Sequence, residues 1–382
     1  MHDCINLKVI VFLFDPNVGG PTIRSRTISE KLRNENVDIV FALPHTDGSA
    51  KVYLESLNFT VIDLEIIKPV MPKKLWAFFK FVLSAPYSII KIFFMLKKEK
   101  PDLVHINGAF DILPAVSAKI AGVAVLWHLN DMVFGKRLSL TLGKFVAVIS
   151  TSIAVSTERV ANHYGISKGS FKVLRVPVDT DNFLFSSKEK IEPYKIGFIG
   201  NWNPLKGQED FISIIKRLNE EYGDVEARMM GKLLNSQESY WRPILETLKD
   251  SGLDHKVSVL NFVENIPEAL RDIDLLLITS VSEAGPMSCV EAMAAGIPVI
   301  SYDVGDVNNM LLPGERGQCG FVVPNGDLNA MFDGCLKLIS DSELYEQFSK
   351  AARERAVRAY SVAKSVRRTH EVYSSAAGKC DD

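Results

Sequence analysis

The stretch from Asp274 to Ile300 is the part of the chain that most constrains the fold. Residues 274–279, Asp-Leu-Leu-Leu-Ile-Thr, form a short apolar run that is typical of a parallel strand buried on both faces. A polar loop follows, and from Met287 the residues favour a helix that ends at Gly296, with a proline and a second apolar run beyond it. The stretch therefore predicts one β-loop-α-β unit of a parallel sheet.

Two carboxylates, Glu283 and Glu291, flank the start of the predicted helix. Helix N-termini present unpaired N–H groups, so the loop 283–288 suits a polar or anionic ligand at the carboxyl end of its strand. The two acids would also accept hydrogen bonds from sugar hydroxyls. An alternative is that Ser288 and Glu291 form a capping box, which would explain Glu291 without any ligand. The residues alone leave both interpretations open.

Residues 283–291, Glu-Ala-Gly-Pro-Met-Ser-Cys-Val-Glu, are followed by Ala-Met-Ala-Ala-Gly-Ile-Pro-Val-Ile. This run resembles the Glu-x7-Glu signature of the retaining, nucleotide-sugar-dependent glycosyltransferases of family 4 (glycosyl transferases group 1). The similarity continues beyond the second acid to residue 300, so it is more specific than a pair of carboxylates. It implies the GT-B fold, an α/β architecture in which two Rossmann-like, doubly wound parallel-sheet domains face a cleft.

The resemblance also implies roles for individual residues. Glu283 would face the donor sugar, the backbone after it would reach the sugar hydroxyls, and Glu291 would accept from the ribose. The catalytic residues that it implies are Glu283, His128 and Lys206. The donor-binding residues that it implies are Gly19, Gly20, Asn201, Ala284, Gly285, Pro286, Met287 and Glu291.

Length and composition exclude several classes of protein. A chain of 382 residues with 47% hydrophobic residues suggests two domains of ordinary size. A net charge of −2 argues against a general nucleic-acid binder. The five cysteines are odd in number, scattered and without metal-ligand spacing, which favours a reducing compartment and a cytoplasmic location.

Together with the resemblance, the chain predicts four segments. Residues 1–183 form an acceptor-side domain, 184–194 a linker, 195–360 a nucleotide-sugar-binding domain, and 361–382 a helix that returns to the first domain. Within the first domain, the apolar run 145–156 is interpreted as a further pair of strands.

Gly19 and Gly20 follow the first predicted strand, Lys8–Phe14, and precede a helical run. Paired glycines let the backbone approach a ligand closely at a helix N-terminus, although a tight turn is the more common explanation of a lone Gly-Gly pair. The motif is not G-x-G-x-x-G, so NAD binding is not supported. The resemblance implies that this loop faces the donor phosphates and the acceptor.

His105 and His128 each end a short apolar run and are followed by Asn. Such positions point into the ligand crevice of a parallel sheet, although a lone histidine is more often a hydrogen-bonded structural residue. The two are too far apart in sequence for a local metal motif, and neither a metal nor another cofactor is expected. The resemblance implies that His128, with Asp131 after it, lies near the donor sugar.

The second domain opens with the strand Lys195–Gly200 and the loop containing Asn201, Lys206 and Gly207. A lysine between a strand and a helix N-terminus suits a diphosphate, because it supplies positive charge where the leaving group becomes more negative. An ordinary exposed lysine is the alternative. Members of the family usually carry Arg at the position of Asn201. This departure removes one charge-assisted contact. Weaker donor binding, a compensating cation elsewhere and a non-catalytic homologue are the three alternatives that follow from it.

Residues 73–100 interleave aromatic residues with lysines. Pro86, Lys80 and Lys91 are expected to break the segment into two short helices, neither of which could span a bilayer. Such helices suit the surface of an anionic membrane, and family members with lipid-linked acceptors dock through the first domain. The alternative is that they are core helices with solvated lysines.

The expected function is retaining transfer of a hexose-type sugar from a nucleotide-diphosphate sugar to a glycan or lipid-linked acceptor. UDP-sugars are the first expectation for the donor and GDP-sugars the second. The product would belong to a cell-surface polysaccharide, a lipopolysaccharide or a glycolipid. The alternatives are a non-catalytic homologue acting as a partner subunit, which Asn201 motivates, and a sugar-nucleotide epimerase with the same fold.

Overall fold

The structure, a computed structural model, describes residues 6–46, 48–65, 75–185, 194–261, 263–312 and 317–379, with the backbone alone for 75–80. Most of the predicted linker 184–194 and the beginning of the predicted membrane segment 73–100 lie outside the described residues. The chain divides into two compact units. Unit 1 contains Met1–Pro177 and Val362–Asp382, and unit 2 contains Val178–Ser361.

The described part of unit 1 contains a seven-stranded sheet of order β3-β2-β1-β4-β5-β6-β7, in which every pairing is parallel. Its strands are β1 (Leu7–Leu13), β2 (Val37–Pro44), β3 (Thr60–Leu64), β4 (Leu103–Asn107), β5 (Ala124–Leu129), β6 (Ser152–Val155) and β7 (Lys172–Val173). The central strands are mostly apolar and buried on both faces, as expected of a parallel sheet covered by helices. The polar residues within them are Lys8, His105, Asn107 and His128.

The helices of unit 1 are α1 (Gly20–Leu32), α2 (Ser49–Ser56), α3 (Leu75–Glu99), α4 (Ile112–Ala121), α5 (Lys136–Ile149), α6 (Glu158–Tyr164) and the C-terminal helix α14 (Val362–Ala376). The apolar face of α14 packs against α1 and buries Val366, Val372 and Tyr373 in the core of unit 1. Helix α14 thus belongs to the first unit although it follows the whole of the second in sequence.

The predicted pair of strands at 145–156 is wrong in its first half. Helix α5 continues to Ile149, and only Ser152–Val155 forms a strand. Leu142 and Val146 are buried four residues apart, which is the spacing of one helix face. A short apolar run does not by itself distinguish these two structures.

The expected break at Pro86 is also wrong, because α3 is one helix that passes through this proline. Proline removes one backbone hydrogen bond, to the carbonyl of residue 82. Pro86 and Val82 are both exposed, so water can satisfy the freed carbonyl. The opposite face of the helix is held by the buried side chains of Ile92 and Leu96. In the described residues, no helix is long and apolar enough to cross a membrane.

The described part of unit 2 contains a six-stranded parallel sheet of order β10-β9-β8-β11-β12-β13. Its strands are β8 (Tyr194–Ile199), β9 (Val225–Met230), β10 (Val257–Leu260), β11 (Leu275–Ile278), β12 (Val299–Tyr302) and β13 (Gly320–Val323). Its helices are α7 (Gln208–Glu221), α8 (Glu238–Asp250), α9 (Ile266–Ala269), α10 (Met287–Ala294), α11 (Val307–Leu311), α12 (Leu328–Ser340) and α13 (Ser342–Tyr360).

Both units confirm the predicted class of two Rossmann-like parallel-sheet domains. In each sheet the chain winds first toward one edge and then toward the other. The change of direction falls between β1 and β4 in unit 1 and between β8 and β11 in unit 2. These two places are topological switch points, where open α/β sheets bind ligands at the carboxyl ends of their strands.

Candidate functional site

The centre of the candidate site in unit 2 lies at the switch point between β8 and β11. Lys206 follows β8 and Glu283 follows β11, and the Lys206 ammonium donates a hydrogen bond to Glu283 Oε1. Ser280 Oγ donates to the same carboxylate oxygen at 3.0 Å. Both charged side chains keep part of their surface exposed, 26% for Lys206 and 16% for Glu283. The structure therefore brings together two of the three residues that the sequence predicts as catalytic.

The loop that carries Lys206 is fixed against the end of β11. Thr279 Oγ1 donates to the carbonyl of Gly207 at 2.7 Å, and the Val281 N–H donates to the carbonyl of Leu205 at 2.9 Å. Gly207 has a φ of +68°, and a Cβ there would lie 2.1 Å from the carbonyl oxygen of Thr279. Glycine at 207 is therefore needed for both its conformation and its small size.

The predicted donor-binding loop leads directly into α10. Helix α10 begins at Met287, its N-cap is Pro286, and no described side chain caps it. The capping box between Ser288 and Glu291 is therefore wrong, because Ser288 already lies inside the helix. A helix start without a side-chain cap keeps N–H groups available to a ligand.

Glu291 is partly buried one turn into α10. No described residue makes a hydrogen bond or an ion pair with its carboxylate. Desolvation by burial raises the pKa of Glu291 to about 7. An acid in this state gains free energy from any ligand that donates a hydrogen bond to it.

Asn201 lies at the same edge of the sheet, where β8 and β9 end. Its Oδ1 accepts a hydrogen bond from the Lys232 N–H at 3.1 Å, and the Trp202 N–H donates to the Lys232 carbonyl at 3.0 Å. The Trp202 side chain is fully buried, whereas Asn201 and Lys232 are exposed. These two bonds hold the backbone of Lys232 beside Asn201.

Gly19 and Gly20 lie at the N-terminus of α1, directly beyond β1. Gly19 has an extended conformation that any residue can adopt, and a Cβ there would meet nothing closer than the Pro21 Cδ at 3.9 Å. No described part of unit 1 therefore requires glycine at position 19. This geometry does not support the tight-turn explanation at Gly19.

His128 is buried, with 1% of its surface exposed, and it accepts a hydrogen bond from Arg24 at 2.9 Å through Nε2. Because a guanidinium only donates, His128 Nε2 must be unprotonated. His105 lies on the neighbouring strand β4, with its Nε2 3.4 Å from His128 Nδ1 and its Nδ1 2.7 Å from the Tyr373 hydroxyl. Burial and the charge of Arg24 lower the pKa of His105 to about 3 and that of His128 well below its usual value.

Arg24 itself also bonds the Leu174 carbonyl, at 2.7 Å through NH2. Burial lowers the pKa of Arg24 to about 10, so it remains charged near neutrality. Its described partners are a neutral histidine ring and a backbone carbonyl, and no described carboxylate neutralises it. Arg24 is thus a cation held in place at the switch point of unit 1.

Two aspartates lie beyond the ends of β4 and β5. Asp131 accepts from the Tyr164 hydroxyl at 2.9 Å and from the Ala109 N–H at 3.3 Å. Asp111 is buried, and its Oδ2 has no hydrogen-bond partner in the described part of the chain. Burial and the neighbouring Asp131 raise the pKa of Asp111 to about 7. Within the described ranges, no three His, Cys, Asp or Glu residues are grouped closely enough to hold a metal ion.

Family models match both units. The model for glycosyl transferases group 1 matches residues 179–355, and the model for glycosyltransferase family 4 matches residues 18–182. The chain belongs to the GT-B glycosyltransferases. The predicted family and the predicted enzyme class, a glycosyltransferase, are confirmed.

Curated relatives of this glycosyltransferase share about a quarter of its sequence. It is 24% identical over 324 residues to a UDP-Gal:alpha-D-GlcNAc-diphosphoundecaprenol alpha-1,3-galactosyltransferase of Escherichia coli, covering 75% of this chain and 78% of that protein. It is 26% identical over 175 residues to an N-acetyl-alpha-D-glucosaminyl L-malate synthase of Bacillus anthracis. That match covers 46% of this chain and 44% of the relative, so the glycosyltransferase spans less than half of the latter's length.

Among solved structures, this glycosyltransferase is similar to HepE of Anabaena in complex with UDP and glucose. The TM-score is 0.79 at 19% identity, covering 97% of this chain and 100% of that one. An identity this low shows a common fold, and the roles of individual residues must be argued from the geometry of this chain.

Several polar residues of the glycosyltransferase were not found from its sequence. They are Arg24, Asn107, Asp111, Asn130 and Tyr373. Asn130 Nδ2 donates to Asn107 Oδ1, and Asn107 Nδ2 donates to Ser25 Oγ at 2.8 Å. For Asn107 and Asn130 the sequence did offer a signal, because each follows a histidine at the end of a predicted strand.

Proposed function

We propose that this glycosyltransferase moves a hexose-type sugar, with retention of anomeric configuration, from a UDP-sugar to a glycan or lipid-linked acceptor. The observation that supports the proposal best is the pairing of Lys206 with Glu283 at the switch point of unit 2. A nucleotide sugar needs both kinds of group, a cation for its diphosphate and an acceptor for its hydroxyls.

The reaction breaks the bond between the anomeric carbon and the diphosphate oxygen and forms a bond to an acceptor hydroxyl. Negative charge grows on the departing diphosphate, where Lys206 and the N–H groups at the start of α10 stabilise it. Positive charge grows on the sugar ring, whose hydroxyls Glu283 orients. The acceptor hydroxyl attacks the anomeric carbon on the face from which the diphosphate leaves, and its proton goes to the leaving diphosphate. No protein group forms a bond to the anomeric carbon. We expect no protein-bound metal or other cofactor in this reaction.

The donor nucleoside is proposed to contact Glu291. This carboxylate lacks a described partner, and its position on α10 leaves it one turn from the helix start that would bind the diphosphate. A ribose hydroxyl is a donor of the right kind. In unit 1, the loop of Gly19 and Gly20 is proposed to approach the phosphates or the acceptor, and a Cβ at Gly19 would meet no described atom closer than 3.9 Å. His128 is proposed to act through Arg24, because Arg24 is the described partner of its Nε2.

The choice of UDP and of the acceptor class is supported by relatives. The galactosyltransferase of Escherichia coli is named for a UDP-sugar donor and a diphosphoundecaprenol-linked acceptor. The HepE structure contains UDP and glucose. We extend both properties to this chain as part of the proposal.

A thermal-unfolding panel of UDP-, GDP-, ADP- and TDP-sugars tests the donor. A ligand at 100 times its dissociation constant stabilises the folded protein by about 2.7 kcal/mol. We expect the UDP-sugars to raise the unfolding temperature and the variant Glu291→Gln to respond less. If no nucleotide sugar raises it, the non-catalytic alternative replaces this proposal. The anomeric configuration of the product, read by NMR, then tests retention.

A membrane surface is a second proposed partner, and the exposed face of α3 supports it. Leu83, Tyr87, Ile90 and Phe94 are 81%, 62%, 55% and 66% exposed, and their spacing of three and four residues puts them on one side of the helix. Lys97 and Lys98 follow at the end of the same helix and are exposed. An apolar stripe with lysines beside it suits the interface of an anionic bilayer.

Co-sedimentation with phosphatidylcholine vesicles, with and without phosphatidylglycerol, tests this surface. The double variant Leu83→Gln/Phe94→Gln should lower the bound fraction at least about tenfold, because two apolar side chains no longer enter the bilayer. Val148→Gln is the control, since Val148 is 73% exposed on another helix of unit 1. Equal binding of the double variant and the control contradicts a membrane role for α3.

A further inference from the structure

Lys232 is an unassigned cation at the edge of the unit 2 sheet that carries the candidate site. It follows β9 by two residues, and β9 is the neighbour of β8, the strand that leads to Lys206. Hydrogen bonds to the Asn201 side chain and the Trp202 N–H fix its backbone. A Cβ at Gly231 would lie 1.9 Å from the Gly200 carbonyl, so the ends of β8 and β9 are in close contact.

The charges at the two edges of these strands differ. At the amino edge, Lys256 precedes β10 and forms an ion pair with Asp224, which precedes β9. At the carboxyl edge, Lys232 is exposed and has no carboxylate partner in the described part of the chain. Lys206, the other lysine at this edge, is already paired with Glu283. Lys232 is thus a cation at the carboxyl edge that no described carboxylate neutralises.

A nucleoside diphosphate carries more than one negative charge, whereas Lys206 supplies one positive charge. The family resemblance expects an arginine at position 201, where this chain has Asn. An asparagine provides no charge, but here its side chain accepts from the backbone of Lys232 and holds that residue next to position 201. Lys232 therefore lies next to position 201, where the family resemblance expects an arginine.

We propose that Lys232 is a second donor-binding cation, which contacts the diphosphate of the nucleotide sugar together with Lys206. Asn201 acts as a positioning residue, because it binds the Lys232 backbone and not the phosphate. This inference rests on the proposed function, and it explains how a chain with Asn201 binds a diphosphate.

The test is calorimetric titration of UDP into the full-length wild type and three variants, Lys232→Ala, Lys232→Arg and Lys249→Ala. Lys249 is exposed in the last turn of α8, so its removal matches the change in net charge without touching the strand ends. We expect Lys232→Ala to weaken UDP binding about tenfold or more, because a charge-assisted contact to phosphate is lost. Lys232→Arg should stay within about threefold of the wild type, and Lys249→Ala within about twofold.

A titration with UMP separates the contact to the diphosphate from a general effect of charge. The loss caused by Lys232→Ala should be smaller for UMP than for UDP. Equal affinities of Lys232→Ala and Lys249→Ala for UDP overturn the proposal, as does equal loss for UMP and UDP. Absence of UDP and GDP binding by the wild type is a different result, which contradicts the proposed function and this inference with it. Unchanged thermal unfolding of the apo variants shows that a loss of affinity is not a loss of folding.

Discussion

The carboxyl ends of the two sheets carry opposite kinds of polar chemistry although the sheets have the same topology. In unit 1, His105 and His128 are 6% and 1% exposed, and burial keeps both rings neutral. In unit 2, Lys206 and Glu283 form an ion pair whose side chains are 26% and 16% exposed. The fold fixes where a ligand can bind, and the side chains at each switch point decide which ligand it is.

The difference in burial also predicts a difference in response to a ligand. A partly exposed ion pair contributes only about 0–1 kcal/mol, so a diphosphate and a sugar can separate Lys206 from Glu283 at little cost. A buried network such as Arg24, His128, His105 and Tyr373 loses much more when one member is removed. Unit 2 is therefore suited to exchange its internal contacts for substrate contacts, whereas unit 1 keeps its own.

The largest effect is expected from Glu283→Gln. If Glu283 leaves Lys206 and binds the donor sugar, this variant should lower turnover about 10²-fold or more. The reason is that an oriented charged group near the developing positive charge is lost. The free energy of unfolding should change by no more than about 1 kcal/mol, since only a partly exposed ion pair is removed. Turnover is measured by release of UDP and stability by urea unfolding. A loss of stability as large as the loss of activity would assign Glu283 to the fold instead of the reaction.

The second prediction tests whether the Lys206 loop must be held against β11. Gly207→Ala should destabilise unit 2 by about 3 kcal/mol or more, because strain at positive φ is added to a clash with a backbone oxygen. Gly252→Ala is a matched control. Gly252 has a φ of +70°, close to the +68° of Gly207, but a Cβ there would meet no described atom within 4 Å. The control should cost only about 1–2 kcal/mol, which is the strain alone.

Urea unfolding of both variants measures the two costs, and their difference isolates the contact with Thr279. Equal destabilisation by the two substitutions would show that the loop can move away from β11. The loop would then not hold Lys206 in a fixed position, and unit 2 would differ from unit 1 in the mobility of its backbone as well as in the exposure of its side chains.

The sequence was sufficient for the class of two parallel-sheet domains and for placing Lys206 and Glu283 at one edge of the unit 2 sheet. The strand β11, the helix α10 and the glycine that ends this helix all follow from local signals, and Gly296 has the predicted left-handed conformation, with a φ of +72°. Local signals failed where tertiary contacts decide the outcome. Pro86 is tolerated because its face of α3 is exposed, and the capping box is absent because α10 begins before Ser288.

The polar network of unit 1 could not be found from sequence for the same reason. Arg24 lies 104 residues from His128, and His105 lies 268 residues from Tyr373. No periodicity within one segment relates such residues, and only the packing of α1 and α14 on the sheet brings them together. Asp111 was missed because its burial, and not its spacing, distinguishes it from other aspartates.

The smallest effect concerns the pH dependence of stability in unit 1. His105 has a folded pKa of about 3 and an ordinary unfolded value of 6.5, so the unfolded chain binds more protons between these values. The contribution of His105 to stability therefore falls as the pH drops below 6.5, by about 1.4 kcal/mol for each pH unit. Asp111, with a pKa raised to about 7, acts in the opposite direction, because it is the folded chain that binds its proton first.

His105→Asn separates the two contributions. Between pH 7 and pH 5 the free energy of unfolding of the wild type should fall by about 2 kcal/mol more than that of the variant, because the variant has no proton to take up at this site. The exposed His255→Asn is the control for removal of a histidine, and it should follow the wild type. If His105→Asn also follows the wild type, the ring accepts a proton within the folded protein. The network of unit 1 would then tolerate a charged histidine in the folded protein, and the contrast between the two switch points would not hold.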